Sequence, residues 1–448
     1  MKLIGKYPVF SILLTGLIVR LILYFISRQY GYTSFFLFDS YRYLNLGTNL
    51  FEEGWYTDKM TEPIFESIYL TPVAPLIFYF LRSLGGLDAI IIFQIICQLI
   101  TCYFLIKTAK IFFPHLKKFA VLFCGLLFAF DIPTIVLGNV IMTESIFNLF
   151  FFLFAHYFIQ YLLSDSSKKI LLSSLFLGLA ALTRPIIIYL PFLIFIIIFI
   201  RFYKSKKFQF KNLLYFLFPF YILTGTWTYI NYQKHGHFFY SMVGEFNLMY
   251  FQASTIYAEI NTISLEEARI KLYKEIENSF SESEYENLDQ YIYFKRGGEI
   301  ARQIILENPT LFLKNMAKAN INLFFRPVRD YLKITLGSNE LFHTRSKNHS
   351  AFIYFTDYWQ IFINISLFIL LFPGIIYIYL INPQIAFFMI CIFGYFMLVC
   401  SGPEIDGRFR VPLVPVILIN ACAGVVFIIN KIKARRFSAS TNNSTFVP

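Results

Sequence analysis

The chain has 448 residues, of which 57% are hydrophobic and 15% charged, with a formal net charge of +12. So few charged side chains cannot cover that much apolar surface in water, so the composition excludes an ordinary soluble globule and requires a lipid-embedded protein. The basic clusters are short and follow apolar runs, which excludes a nucleic-acid surface and leaves contact with membrane lipids as their use.

A helix that crosses a bilayer needs roughly 20 apolar residues. Runs at 8–26, 87–106, 118–137, 143–163, 170–184, 186–201, 212–230, 356–380, 384–400 and 411–430 meet or approach that length. The expected fold is therefore all-α and integral to the membrane, with about ten transmembrane helices. The fifth and sixth runs are short and meet at Thr183-Arg184-Pro185. Proline breaks the helix there and an arginine is costly at mid-bilayer, so the pair reads as a hairpin turning at the membrane surface, with one kinked helix as the alternative.

Short loops rich in Lys and Arg favour the cytoplasm. Lys2 and Lys6, then Lys107, Lys110, Lys117 and Lys118, then Lys168 and Lys169 lie on one side in this arrangement. So do Arg201, Lys204, Lys206, Lys207 and Lys211, and finally Lys431, Lys433, Arg435 and Arg436. Both termini are thus expected in the cytoplasm. For the count to hold, residues 69–83 must not cross, and their two prolines suit a helix lying in the outer leaflet. The first apolar run lacks a small-residue cleavage site and reads as a retained anchor. The six cysteines fall in or at the ends of spans and show neither disulfide nor zinc spacing, so they read as packing residues.

Four regions follow: a membrane module at 1–230 with about seven spans and a helical outer loop at 27–86, a non-cytoplasmic helical loop at 231–355, a three-span segment at 356–430, and a basic, disordered tail at 431–448. Within the long loop, 264–281 opens on a capping serine, and 286–307 and 309–325 show helical apolar spacing, broken at Asn308-Pro309. Together they predict a small helical cap on the outer face.

The outer ends of the spans collect the chemistry. Acids stand at Asp39, Glu144, Glu404 and Asp406, beyond Asp58, Glu62 and Glu66 of the first loop; cations stand at Arg184, Arg408 and Arg410. A carboxylate can take a proton from an acceptor hydroxyl or hold a hard divalent cation, and a guanidinium fits a phosphate. Asp39 and Glu144 are the candidate catalytic acids and candidate metal ligands, with Mg or Mn as the candidate cofactor. Arg184, Arg408 and Arg410 are the candidate phosphate-binding residues, and Tyr43, Tyr69 and Glu404 the candidate lining of a substrate cleft. Each has a structural alternative: Asp39 could cap a helix over 40–52, Glu144 or Thr143 could cap the fourth span, and Arg408 and Arg410 could snorkel to the interface. His235 and His237 are ligand-capable but sit on a solvated loop.

These residues resemble the integral-membrane glycosyltransferases of the C superfamily, in particular the protein O-mannosyltransferase and aminoarabinose-transferase-like branch. Asp39 with Tyr43 and Asn49-Leu50-Phe51-Glu52-Glu53-Gly54 looks like the first outer loop of that family, where an aspartate serves in catalysis. Tyr69 to Leu76, Thr143-Glu144-Ser145, Gly178 to Pro185, the series Trp227, Asn231, Gly236, Ser241, Gly244, Asn247, and Arg408 to Pro415 are similar to its later motifs, in order. The resemblance implies inverting transfer of a sugar from a polyprenyl-phosphate donor to a lipid, glycan or protein acceptor on the non-cytoplasmic face, in a compact enzyme of the bacterial inner (plasma) membrane. Leu70-Thr71-Pro72-Val73 departs from the Glu-Lys-Pro-Pro type segment of the aminoarabinose branch. The competing functions are a polysaccharide polymerase or ligase and a transporter of lipid-linked sugars. A transporter would place ionisable residues near mid-bilayer, where few of the predicted spans have any.

Overall fold

The computed structural model describes residues 7–58, 67–205, 210–281, 284, 288–338 and 350–443. Expectations on Lys2, Lys6, Glu62, Glu66, Lys206 and Lys207, and on the side chains of Lys204, Arg435 and Arg436, lie outside the described residues. Within them the fold is all-helical. Among the described residues, six helices are long and apolar enough to cross a membrane, and two shorter apolar helices accompany them. The protein is a multi-pass membrane protein.

Helix α1 (Pro8–Gln29) starts on a proline, which has no amide N–H to leave unpaired, and Gly31 at φ 86° turns the chain after it. Helix α2 (Phe38–Glu52) forms the first loop's helical floor. Helix α3 (Val73–Phe112) is broken at Gly85 and Gly86, the latter at φ 67°, a backbone state that costs a side-chain-bearing residue. That break separates the arm at 73–84 from the apolar span at 87–112. The run at 118–137, expected as one helix, is two: α4 (Lys117–Ala129) and α5 (Ile132–Leu137). Asp131 causes the division, because its carboxylate accepts from the Thr134 amide at 3.1 Å and starts a new helix with Pro133 in its first turn.

Helix α6 (Glu144–Ser164) is one of the two most enclosed spans among the described residues, and α7 (Ser167–Ala181) returns along it. After a 3₁₀ turn at Pro185–Ile187, α8 (Leu190–Ser205) runs parallel to α6. Two ion pairs fix this: Arg184 meets Glu144 at the start of α6, and Arg201 meets Asp165 just beyond its end at 2.7 Å. The Thr183-Arg184-Pro185 segment is therefore a hairpin, not a kink. Helix α9 (Phe210–His235) packs against α7, where Gly178 lets the Leu223 side chain approach.

The long loop supplies α10 (Val243–Asn247), a π-helical turn (Leu248–Ala253), α11 (Ser254–Asn261), α12 (Leu265–Asn278), α13 (Gln290–Glu307), α14 (Pro309–Phe325) and α15 (Arg329–Thr335). Ser264 accepts from the Glu267 amide at 3.1 Å, as its sequence position predicts. These helices have a core of their own: Met249, Ala253, Leu272, Ile276 and Ala301. The segment 243–261 carries no strong periodic signal, and its helices were not expected.

Helices α16 (Ser350–Ile381), α17 (Pro383–Val399) and α18 (Val414–Asn443) close the bundle. The last helix continues to Asn443, which corrects the expectation of a disordered tail from 431; Lys431, Lys433, Ala434, Arg435 and Arg436 are all strong helix formers. Helices α16 and α18 touch backbone to backbone. A methyl added at Gly374 would overlap the Asn420 carbonyl oxygen, and one at Gly424 the carbonyl oxygen of Leu370. Without a water-driven hydrophobic force in lipid, such close contacts between small residues hold spans together. Gly374→Ala is accordingly expected to cost about 1–3 kcal/mol, seen as a lower thermal midpoint in detergent; an unchanged midpoint would mean the helices part at no cost.

Buried charge also lies inside the spans. Arg20 of α1, 1% exposed, donates to Gln98 Oε1 at 2.6 Å and to the carbonyls of Gly16 and Ala129 at 3.1 Å. The Ala129 carbonyl belongs to the last turn of α4 and has no partner within that helix, so the guanidinium serves as an internal cap.

Candidate active site

Short anchors hold the site's elements in place. Ser40 Oγ accepts from the Leu37 amide at 2.8 Å and donates to the Ile141 carbonyl at 2.8 Å, while the Ile141 amide donates to the Phe35 carbonyl. The start of α2 is thereby tied to the segment that leads into Glu144. The Val73 amide donates to the Leu182 carbonyl at 3.0 Å, joining the first loop to the α7–α8 hairpin.

At this end of the bundle, four of the residues singled out in the sequence come together in two ion pairs. Arg184 Nη1 meets Glu144 Oε1 at 2.5 Å, and Arg408 Nη1 meets Asp39 Oδ2 at 3.7 Å. Arg408 also interacts electrostatically with Glu144, which couples the pairs. Phe409 stands between the cations, its ring 5.4 Å from the Arg184 guanidinium and 4.8 Å from that of Arg408. Burial, the largest single influence, weakens the proton's hold on Arg184, but Glu144 and Tyr43 beside it together outweigh that and raise its pKa.

The two acids differ in access. The Glu144 side chain is fully enclosed, whereas that of Asp39 is 39% exposed. Asp39 is not a cap: Leu37 holds that position and Asp39 lies in the first turn, where the helix dipole favours its charge. Glu144 Oε2, Thr143 Oγ1 and both side-chain polar atoms of Asn148 are buried without a hydrogen-bond partner. Asn148 is one turn deeper than Glu144 and was missed in the sequence, where an asparagine four residues on from the acid in a Phe-rich helix was the available signal.

Asp406 and Tyr331 complete the cluster. Asp406 accepts from the Arg408 amide at 2.8 Å and from Tyr331 Oη at 2.6 Å. Tyr331 belongs to α15 and had no sequence signal. Tyr43 is buried and packs edge-on against Phe78; burial foremost, then the Asp39 charge, pushes its hydroxyl up to about 12. Tyr69 lies in the wall below the cap, edge-on to Phe246 and Phe294, with the Arg42 guanidinium 5.7 Å from its ring.

Arg410 stands apart from this group. It is 3% exposed, hydrogen-bonds Asn364, and lies 3.6 Å from Asp131, the residue that starts α5. Nor do the histidines join the site: His237 stacks on Tyr291 at 4.2 Å and faces Asp289 at 3.7 Å. The 227–247 motif residues act as fasteners. Asn231 Nδ2 donates to the Phe239 carbonyl at 3.1 Å and Ser241 Oγ to the Tyr69 carbonyl at 2.5 Å.

Among the described residues, no three His, Cys, Asp or Glu side chains converge as a metal would require. Asp39 and Glu144 each face a guanidinium, so this donor set fits paired charges and not the six or more oxygens of a hard cation.

Glu404 sits in the turn before Arg408. Burial foremost pushes its carboxyl up to about 7, and its Oε2 has no hydrogen-bond partner. The fold therefore keeps a proton on Glu404 that an unfolded chain releases near 4.5. The consequence is that stability falls as pH rises between those values. Glu404→Gln is expected to flatten that fall in thermal-midpoint curves from pH 4.5 to 7.5; parallel curves for the two proteins would show that Glu404 ionises as freely folded as unfolded.

Fold and site together define a multi-span, all-helical membrane protein with a polar, arginine-rich cluster at one end. Comparison with known proteins makes this more specific: residues 70–227, about a third of the chain, match the family model of dolichyl-phosphate-mannose-protein mannosyltransferases. That stretch is a mannosyltransferase-like membrane segment; it contains Glu144 and Arg184 but neither Asp39 nor Arg408. Among solved structures, the chain is similar to the Archaeoglobus fulgidus oligosaccharyltransferase tethered to an acceptor peptide containing the NVT sequon, at 12% identity and a TM-score of 0.49 over 97% of this chain and 51% of that one. The apo form of that protein gives 13% identity and a TM-score of 0.46, over 95% and 52%. The chain thus spans about half the length of the oligosaccharyltransferase it matches. No curated protein sequence matches it.

Proposed function

We propose that the protein is an inverting glycosyltransferase that moves a sugar from a polyprenyl-phosphate donor to a lipid, glycan or protein acceptor at the non-cytoplasmic face of a bacterial inner membrane. The observation that carries this reading is the joined pair of ion pairs, Asp39–Arg408 and Glu144–Arg184, at one end of the bundle. The match of residues 70–227 to mannosyltransferases supports it.

In the reaction, the acceptor's hydroxyl or amine attacks the anomeric carbon from the side opposite the phosphate. The bond from that carbon to the phosphate oxygen breaks, and its electron pair leaves with the lipid phosphate. Asp39, the accessible acid, takes the acceptor's proton. Arg408 and Arg184 face the leaving phosphate, where planar guanidinium groups stabilise the charge that develops. Enclosed Glu144 orients Arg184 and does not touch substrate. These steps use no metal.

The test supplies membranes containing the protein with labelled polyprenyl-phosphate sugars and measures label leaving the lipid. Transfer to an acceptor with inverted anomeric configuration is the expected result. Movement of intact labelled lipid between leaflets, with no cleavage, would replace the reading with a transporter.

A further inference from the structure

An open groove of about 590 Å³ lies at the opposite end of the bundle, lined by Pro8, Lys110, Ile111, Lys117, Lys118 and Val121. Its position follows from α1 and α3. Tyr24 and Arg28, late in α1, bind Asp88 at 2.9 and 3.1 Å, early in the span of α3. Lys110 is 22 residues further along that helix, roughly 33 Å at 1.5 Å per residue. The groove is therefore remote from Asp39 and takes no part in the chemistry proposed there.

Its lining is of two kinds. Pro8, Ile111 and Val121 make apolar walls. Three lysines line it, and none forms an ion pair with an acid among the described residues. Helix α4, which carries Lys117 and Lys118, has no acid in its first turn and no side-chain cap, so its free amides add to the positive field. Three unneutralised cations around an apolar slot call for an amphipathic anion. A soluble phosphate would satisfy the lysines and leave the walls wet, whereas a phospholipid satisfies both.

We infer that this groove binds one anionic phospholipid, its head-group phosphate among Lys110, Lys117 and Lys118 and the start of its acyl chains against Ile111 and Val121. The site lies between α1 and the α3–α4 turn, so an occupied groove braces the first span against the bundle.

The test uses the full chain, delipidated in detergent, and follows its thermal midpoint on adding dioleoyl-phosphatidylglycerol, dioleoyl-phosphatidylcholine or inorganic phosphate. Phosphatidylglycerol is expected to raise the midpoint by several degrees, and the other two to have little effect. The triple variant K110Q/K117Q/K118Q removes the three charges and is expected to lose the shift. Ile111→Glu, which puts an acid in the groove with the lysines intact, is expected to lose it as well. An equal shift with phosphatidylcholine, an equal shift with inorganic phosphate, or a full phosphatidylglycerol shift in either variant would overturn the inference.

Discussion

Asp39→Asn is expected to lower sugar transfer by about 10²–10⁴-fold, the range that a positioned proton acceptor contributes, while the protein inserts and folds normally. The separation of the two effects follows from the geometry. Asp39 lies 3.7 Å from Arg408 and its side chain is 39% exposed, so the pair is worth only about 0–1 kcal/mol in stability. Asparagine keeps the size of aspartate and gives up only its charge in the first turn of α2, worth about 0.3–1 kcal/mol, but it cannot take the acceptor's proton. The measurement is release of label from polyprenyl-phosphate sugar at matched protein levels, beside a thermal midpoint. Undiminished transfer would reduce Asp39 to a residue that favours the start of α2.

Arg184→Ala should act in the opposite manner, through the fold first. It would leave the Glu144 carboxylate enclosed with no cation at 2.5 Å, and breaking a buried pair from one side costs about 3–5 kcal/mol. Adding Glu144→Gln to that variant removes the stranded charge and is expected to restore most of the loss. A double-mutant cycle on thermal or denaturant stability reads the coupling directly. Additive losses would show that Glu144 is satisfied by something other than Arg184. Because Arg184 is also assigned to the leaving phosphate, the rescued double variant should remain poor in transfer.

The residues that could be read from sequence were those whose placement follows from membrane solvation. Arg184 beside Pro185 could not stay at mid-bilayer, and Ser264 announced its helix by capping chemistry. Asp39, Glu144, Arg184 and Arg408 were selected one at a time, as polar groups at span ends. Nothing local in the sequence says that Arg408 pairs with Asp39, more than 350 residues away, or that Phe409 sits between two guanidinium groups; tertiary packing alone decides that. Arg410 shows the converse. Two positions from Arg408 and chemically identical, it lies apart from the site because a 3₁₀ segment turns the two side chains to different surroundings. Tyr331 was invisible because it lies in a polar loop without periodic signal, and Asn148 was passed over because its one signal, an asparagine four residues on from Glu144, sits in a span that reads as uniform lipid-facing helix. Asp131 split a run that hydropathy reads as continuous, since one carboxylate accepting a backbone amide outweighs an average over twenty residues. Arg20 is one of the few charges within the expected spans, and the carbonyls it caps explain why it is tolerated there.

The most direct test of the central claim is a high-resolution structure of the protein in lipid nanodiscs with polyprenyl phosphate, the lipid product of the proposed transfer. The account predicts the phosphate in contact with Arg184 and Arg408, within reach of the Asp39 carboxylate. A phosphate held elsewhere, with the Asp39–Arg408 and Glu144–Arg184 pairs closed and untouched, would contradict it.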